Sequence, residues 1–470
     1  MLVSDSSNAT KPCYEPFRDP PVTRRLQLAR MRDRLQASGQ WHDGQVAGRR
    51  WPIGCVSLEV TQRCNLDCTL CYLSDEAEAL RDIPLEEVLR RVDLVHAQYG
   101  VNTDIQISGG EPTLRPRHEL AAVVRHIVMR GMRASLFTNG ILATRELLLQ
   151  LAVAGLSDVA FHVDLTQQRP GYATEAALNT LRLAYIDRAR GLGLAVFFNT
   201  TVYRENLVEV PQLARFFAEH ADVVSLASFQ LQADTGRGVL RQRAAVVTQA
   251  TVIDAIRDGV GVALDFEAVA SGHVQCNRYA LGWVAAGRVV DALADRTFAR
   301  RVMRETAGLI LPRGNDRWRA VAAMLAGVAA RPRLWAGALR YVANRAWALR
   351  RELWSARGRL RKISFFVHNF MDASGLDEER LQACVFMAAT VDGPMPMCAY
   401  NAQRDSYLGR TITLADGSSW QPKRPTDIHV IPLKRLRGRL REAAMAQRVL
   451  HTLPVQGERA SRFTVDMGHT

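Results

Sequence analysis

Short apolar and β-branched runs alternate with longer helical stretches through the first half of the chain. The runs fall at Cys55–Val60, Thr103–Ser108, Ala134–Thr138, Val159–Asp164, Ala195–Val202 and Val223–Gln230. Helical patterns lie between them, near Leu85–Gln98, Glu119–Arg130, Arg145–Ala154, Glu175–Arg190 and Val210–Ala221. Six strand–helix units in succession predict an α/β fold with a parallel sheet, arranged over 51–236 as a partial (βα)6 TIM-like barrel. In such barrels the working groups gather at the C-terminal strand ends. The pattern then changes. A connecting region runs over 237–290, a helical segment over 291–362, and the strand-like run Ile363–Phe370 opens a smaller C-terminal auxiliary domain over 363–430. Residues 1–50 read as an irregular leader, and 431–470 as a basic helix and tail.

Composition sharpens this picture in two places. The eight cysteines of the 470 residues are too sparse for a disulfide scaffold and fit a reducing, cytoplasmic setting. Residues 1–50 are polar and Arg-rich and lack the apolar core of a signal peptide. The net charge of +14 is local: 17 Arg or Lys face five acidic residues between Asp291 and Lys362. That block also holds Trp318, Trp335, Trp347 and Trp354. Within it Trp335, Leu339, Val342, Ala346, Leu349 and Leu353 recur at steps of four and three, one apolar helical face. Two readings stand side by side: a helix lying at an anionic membrane interface, or a lid packing its stripe on the barrel. No nucleic-acid-binding module accompanies the charge, and no nucleic-acid partner is expected.

The chemistry concentrates in Cys64-Asn-Leu-Asp-Cys68-Thr-Leu-Cys71, directly after the first strand. Three thiolates so close cannot complete a four-ligand zinc site. They can hold three irons of a [4Fe–4S] cluster and leave the fourth open. The second strand ends in Ser108-Gly109-Gly110-Glu111-Pro112, where glycines permit close backbone approach and a carboxylate can pair with a ligand ammonium. Later strand ends carry Thr138-Asn139-Gly140, His162-Val-Asp164 and Asn199. Asn139-Gly140 also reads as a turn, and Asp164 as a helix cap.

Together the triad and the Gly-Gly-Glu-Pro segment resemble the radical S-adenosylmethionine (radical SAM) superfamily. The resemblance implies a [4Fe–4S] cluster on Cys64, Cys68 and Cys71 and S-adenosylmethionine bound by Gly109, Gly110 and Glu111, with Asn139, Asp164 and Asn199 as further cofactor contacts. Leu70 stands where the family often has an aromatic residue, so it would touch adenine without stacking. Cleavage of the sulfonium would yield a 5′-deoxyadenosyl radical that abstracts hydrogen from an unactivated carbon, with ferredoxin or flavodoxin as electron donor. The runs His368-Asn-Phe-Met-Asp372, Cys384 and Pro396-Met-Cys398-Ala-Tyr-Asn401 are similar to the group containing archaeal tetraether lipid synthase and pterin-methylating radical SAM enzymes. That likeness implies an auxiliary [4Fe–4S] cluster on Cys276, Cys384 and Cys398, its fourth ligand open among Cys55, His273 and a substrate atom. It also implies C–C bond formation or alkylation on a lipid-like substrate, with methylation of a pterin or modification of a peptide as alternatives and a non-catalytic iron–sulfur protein as the remaining rival.

Overall fold

The computed structural model describes residue 49 and residues 51–74, 77–236, 243–311 and 317–422. The leader, apart from residue 49, and the tail beyond 422 lie outside the described residues. Six strands follow the expected order: β1 (Cys55–Thr61), β2 (Asp104–Gly109), β3 (Arg133–Thr138), β4 (Asp158–His162), β5 (Ala195–Val202) and β6 (Val224–Leu231). Between them run α1 (Leu85–Tyr99), α2 (Arg117–Met129), α3 (Arg145–Val153), α4 (Asn179–Ala189) and α5 (Val210–Glu219). All five neighbouring pairs are parallel. Val56, Leu58 and Val60 of β1 are fully buried on one face, as are Val88, Val92 and Val95 of α1, which packs on that strand. The alternation of β1 therefore places Ser57, Glu59 and Thr61 on the opposite face.

Beyond β6 come α6 (Gln249–Val260), the antiparallel pair β7 (Asn277–Ala285) and β8 (Arg288–Asp291), and then four helices. These are α7 (Arg296–Glu305), α8 (Arg317–Ala329), α9 (Pro332–Ala348) and α10 (Arg350–Ser355). The remainder is β9 (Arg361–His368), α11 (Glu378–Gln382), β10 (Phe386–Thr390), β11 (Gly393–Pro396), α12 (Met397–Ala402), α13 (Arg404–Leu408), and a small pair, β12 (Ile412–Thr413) with β13 (Ser419–Trp420).

One sheet takes in nearly all of this, in the order β11-β10-β1-β2-β3-β4-β5-β6-β9-β7-β8. β9 runs parallel beside β6, and β10 runs parallel beside β1. The stretch expected as a separate smaller domain thus supplies a strand to each edge of the core sheet, and the described residues belong to one compact unit spanning 1–425. The edges meet through side chains: the His368 and Phe386 rings are 4.5 Å apart, and Phe366 and Phe386 are 6.0 Å apart. Pairing with β6 and β1 is what a short apolar strand gains over standing alone, because an isolated small sheet would leave ladder groups unpaired.

The basic helices divide the two readings of their stripe. Leu349 is buried against Ala285 and Val290, with Leu353 packed beside them. Trp335, Leu339, Val342, Trp347 and Trp354 are 51%, 73%, 61%, 70% and 89% exposed. Only the C-terminal part of the stripe packs on the sheet. Tyr341 anchors α9 by accepting from the Trp283 indole at 2.6 Å and donating to the Ala292 carbonyl at 3.0 Å. The β7–β8 turn lies level with Arg361, the first residue of β9, so α10, held to it by Arg288–Glu352, sits at the strand end opposite the cysteine loop.

Candidate functional site

The cysteine loop is fastened at its root by the end of β2. The Gly110 and Glu111 amides donate to the Thr61 and Arg63 carbonyls at 2.9 and 2.8 Å. A Cβ on Gly109 would lie 2.0 Å from the Thr61 oxygen, and one on Gly110 would lie 2.2 Å from the Arg63 oxygen. Gly109 also has φ +131°, where L side chains are strained. The glycines are therefore required first by the approach of β2 to the backbone that leads into Cys64.

Three further bonds lay the loop across successive strand ends. Tyr72 donates its hydroxyl to the Gly109 carbonyl at 2.7 Å, Asn139 Nδ2 donates to Asn65 Oδ1 at 2.7 Å, and the Thr69 amide donates to the Thr166 carbonyl at 2.9 Å. These come from the ends of β2, β3 and β4. Cys64, Cys68 and Cys71 are half-buried, and none is in a disulfide. Leu70 is half-buried beside Cys71.

Glu111 departs from the expectation of a carboxylate open to a ligand ammonium. It is fully buried. Its Oε1 accepts from the Thr113 amide, the Thr113 hydroxyl and the Thr138 hydroxyl at 3.0, 2.5 and 2.7 Å, and its Oε2 accepts from the Asn139 amide at 2.7 Å. The side chain ties the end of β2 to that of β3. Asn139 is likewise committed, its Oδ1 accepting from the Ile141 amide at 3.0 Å in the turn that the Asn-Gly pair forms.

Asp164 caps the short turn Leu165–Gln167 and is fully buried. Its oxygens accept from His162 Nε2 at 2.6 Å, from the Thr201 amide at 2.7 Å and from the Thr166 amide at 3.0 Å. Burial pushes this carboxyl up, but His162 and the hydrogen bonds outweigh it and hold the group at about 2. Its stabilising contribution is complete above the unfolded carboxylate value of 3.8 and is lost as pH falls through about 2. The shift corresponds to roughly 2–3 kcal/mol. The urea-stability gap between wild type and Asp164→Asn is expected to shrink by about half between about pH 6 and about pH 3.

Asn199, inside β5, has capacity to spare. It is buried in β5 opposite His162, and its Nδ2 has no protein partner. Gln62 Oε1, two residues before Cys64, is also buried without a partner. Orphaned buried groups of this kind need a ligand or water to offset their desolvation.

Cys276, Cys384 and Cys398 come together although they are far apart in sequence. Cys276 precedes β7, Cys384 precedes β10, and Cys398 follows β11 on α12. Burial pushes Cys384 up, and the negative potentials of Cys398 and Cys276 add to it. Burial also carries Cys398 up to about 11. Arg380 Nε donates to Cys276 Sγ at 3.2 Å, the Met371 amide to Cys398 Sγ at 3.4 Å, and the Cys384 thiol to the Phe386 carbonyl at 3.0 Å. Of the expected fourth ligands, His273 stands three residues before Cys276 with its Nε2 3.8 Å from Glu379, and Cys55, pushed up to about 12 chiefly by burial, pairs in β1 with Phe386, two residues past Cys384. Among the described residues no three His, Cys, Asp or Glu side chains converge on one metal-ion position. A cubane is gripped at separate irons, so its ligands need no common point.

The sequence reading missed a buried group beside the triad. Glu59 of β1 accepts from Arg404 Nη1 at 2.5 Å, from the Tyr400 hydroxyl at 2.9 Å and from Gln62 Nε2 at 2.8 Å. A carboxylate amid the apolar run Val56–Val60 was the available signal. Its partner lies 345 residues away.

The Radical SAM superfamily model matches residues 58–217. The matched stretch, 58–217, is similar to a radical SAM domain. The chain is 31% identical over 189 residues to 7,8-dihydro-6-hydroxymethylpterin dimethyltransferase of Methanocaldococcus jannaschii, covering 39% of this chain and 37% of that protein. It is 30% identical over 206 residues to PqqA peptide cyclase of Bradyrhizobium diazoefficiens, covering 42% and 51%. It thus spans about half or less of the length of these curated relatives. Among solved structures, Streptococcus suis SuiB bound to S-adenosylmethionine aligns with a TM-score of 0.35 and 15% identity over 51% of this chain and 53% of that one. A radical SAM domain takes a [4Fe–4S] cluster and S-adenosylmethionine. The donor set fits both: three thiols stand on one anchored loop, with spare buried polar atoms at Gln62 and Asn199 near the strand ends.

Proposed function

We propose that the protein is a radical SAM enzyme that reductively cleaves S-adenosylmethionine and abstracts hydrogen from an unactivated carbon. The carrying observation is the cysteine loop pinned across the ends of β2, β3 and β4. Cys64, Cys68 and Cys71 would hold three irons of the cluster. When bound, the cluster supplies the low-potential electron that breaks the sulfonium sulfur–C5′ bond. Gly109 and Gly110 hold the loop root, Glu111, Asn139 and Asp164 keep the strand ends in place, Asn199 offers a buried donor to the nucleotide, and Leu70 gives adenine an apolar contact. Cys276, Cys384 and Cys398 would hold an auxiliary cluster, with His273, Cys55 or a substrate atom as its fourth ligand. The electron donor would be ferredoxin or flavodoxin. Anaerobic reconstitution with dithionite should give 5′-deoxyadenosine from the wild type and only background from Cys64→Ala. Iron retained by the triple alanine variant of the triad would support the auxiliary site, and none retained would remove it.

We further infer a lipid-like substrate and C–C bond formation or alkylation upon it. Half-buried Phe366, Phe370 and Phe386 surround His368 beside the second cysteine site. Burial pushes His368 down to about 3, so the imidazole among these rings is neutral near pH 7. The names of the relatives favour a second reading, a pterin or peptide substrate. Deuterium transfer into 5′-deoxyadenosine from labelled lipid, pterin or peptide separates the two.

Membrane attachment is a separate part of the proposal. Among the described residues no helix is long and apolar enough to cross a membrane. Trp335, Leu339, Val342 and Trp347, with Arg333, Arg340 and Arg350 around them, suit an anionic bilayer surface as an anchor. Co-sedimentation with vesicles containing anionic lipid should fall at least about tenfold in the variant with all four apolar residues changed to Ala, since each buried anchor contributes on the order of 1 kcal/mol or more. Equal sedimentation of that variant would remove the anchor.

A further inference from the structure

Glu59, Arg404, Tyr72 and Tyr400 form a closed polar unit between the two cysteine sites. Arg404 is 3% exposed and lies 4.6 Å from the ring centroid of Tyr72 and 4.6 Å from that of Tyr400. Its Nη2 donates to Asn401 Oδ1 at 2.6 Å, and its Nε is buried without a partner. Tyr72 follows Cys71 directly and is bonded to Gly109; Tyr400 stands two residues beyond Cys398 on α12. Tyr72 is close enough to both sites of charge that Glu59, Arg404, Cys71 and Cys64 all act on its hydroxyl. A buried Arg–carboxylate pair is seldom a gain in stability over apolar packing, so its position calls for another reason. In a low-dielectric surrounding, a charge on this pair is felt strongly by neighbouring groups.

We propose that Glu59 and Arg404 are a positioning pair that sets the electrostatic environment of the triad cluster and locks the Cys71 limb of its loop to the helix bearing Cys398. This rests on the triad holding a cluster, as proposed above. The step affected is one-electron reduction of that cluster by an external low-potential donor, dithionite or a reduced flavin in the test. With both charges present, the pair is neutral overall and leaves the potential near its intrinsic value. Removal of Arg404 alone leaves Glu59 negative and disfavours the added electron. Loss of Glu59 alone leaves Arg404 positive and favours it.

The test uses the full chain, reconstituted anaerobically with iron and sulfide, and follows the paramagnetic signal that changes when S-adenosylmethionine is added. At the potential where the wild type is half reduced, the reduced-to-oxidised ratio should fall about tenfold in Arg404→Gln and rise about tenfold in Glu59→Gln, where tenfold is 59 mV for a one-electron couple. The double variant should return to within about twofold of wild type, because the two charges are removed together. Should Arg404→Gln fail to fold, Glu59→Gln and the neutral double variant carry the comparison. Single variants that retain iron and shift in the same direction, or not at all, overturn the pairing and leave the cluster reading standing. A wild type that binds iron but shows no signal responsive to S-adenosylmethionine overturns that reading and this one with it.

Discussion

Gly110→Ala is expected to produce a protein about 4 kcal/mol or more less stable, unable to keep iron at the triad. The reason is space. The added methyl would sit 2.2 Å from the Arg63 carbonyl oxygen, a backbone atom that cannot swing away as a side chain end can. Relief requires parting β2 from the residues that lead into Cys64, which breaks the hydrogen bonds that the Gly110 and Glu111 amides donate to the Thr61 and Arg63 carbonyls. Gly171→Ala provides the contrast, since Gly171 has φ +87° while nothing lies within 4 Å of its missing Cβ. That substitution should cost about 1 kcal/mol from backbone conformation alone. Thermal melts with iron-to-protein ratios after reconstitution measure both, and a Gly110→Ala loss no larger than that of Gly171→Ala would show that the close approach does not govern the site.

Glu111→Ala should destabilise by about 4 kcal/mol, because two backbone amides and two hydroxyls lose their acceptor inside the protein. Glu111→Gln should cost about half as much: one oxygen still accepts, while the amide nitrogen faces donors. Urea unfolding at neutral pH checks the order. An alanine variant as stable as wild type would mean that the carboxylate is not the tie between β2 and β3. The prediction matters for function because the tie fixes Asn139, which in turn holds Asn65 within the cysteine loop.

Legibility in the sequence followed the range of the interactions involved. The six core strands and five helices were readable because apolar periodicity is written in consecutive residues and is enforced by burial on one face. The triad was readable because its spacing is local. Gly109 and Gly110 are legible as places of close backbone approach, and the fold brings the Thr61 and Arg63 backbone against them. The partners of the Glu111 side chain were not legible, because a carboxylate at a strand end looks the same in sequence whether it faces a ligand or the next strand. Asp164 was weighed as a cap and is one, with His162 and Thr201 added by the fold.

The chain's own order of residues thus determined the repeating strand–helix core, the three-thiol loop at its first strand end and the local store of positive charge, all of which depend on neighbours within a few turns. Tertiary structure alone decided that β9 and β10 join opposite edges of that core, that Cys276, Cys384 and Cys398 meet, and that Arg404 reaches Glu59. It also decided which half of the Trp/Leu stripe is covered. These outcomes depend on packing between segments separated by up to hundreds of positions, where desolvation and shape select the partner and no periodicity records the choice.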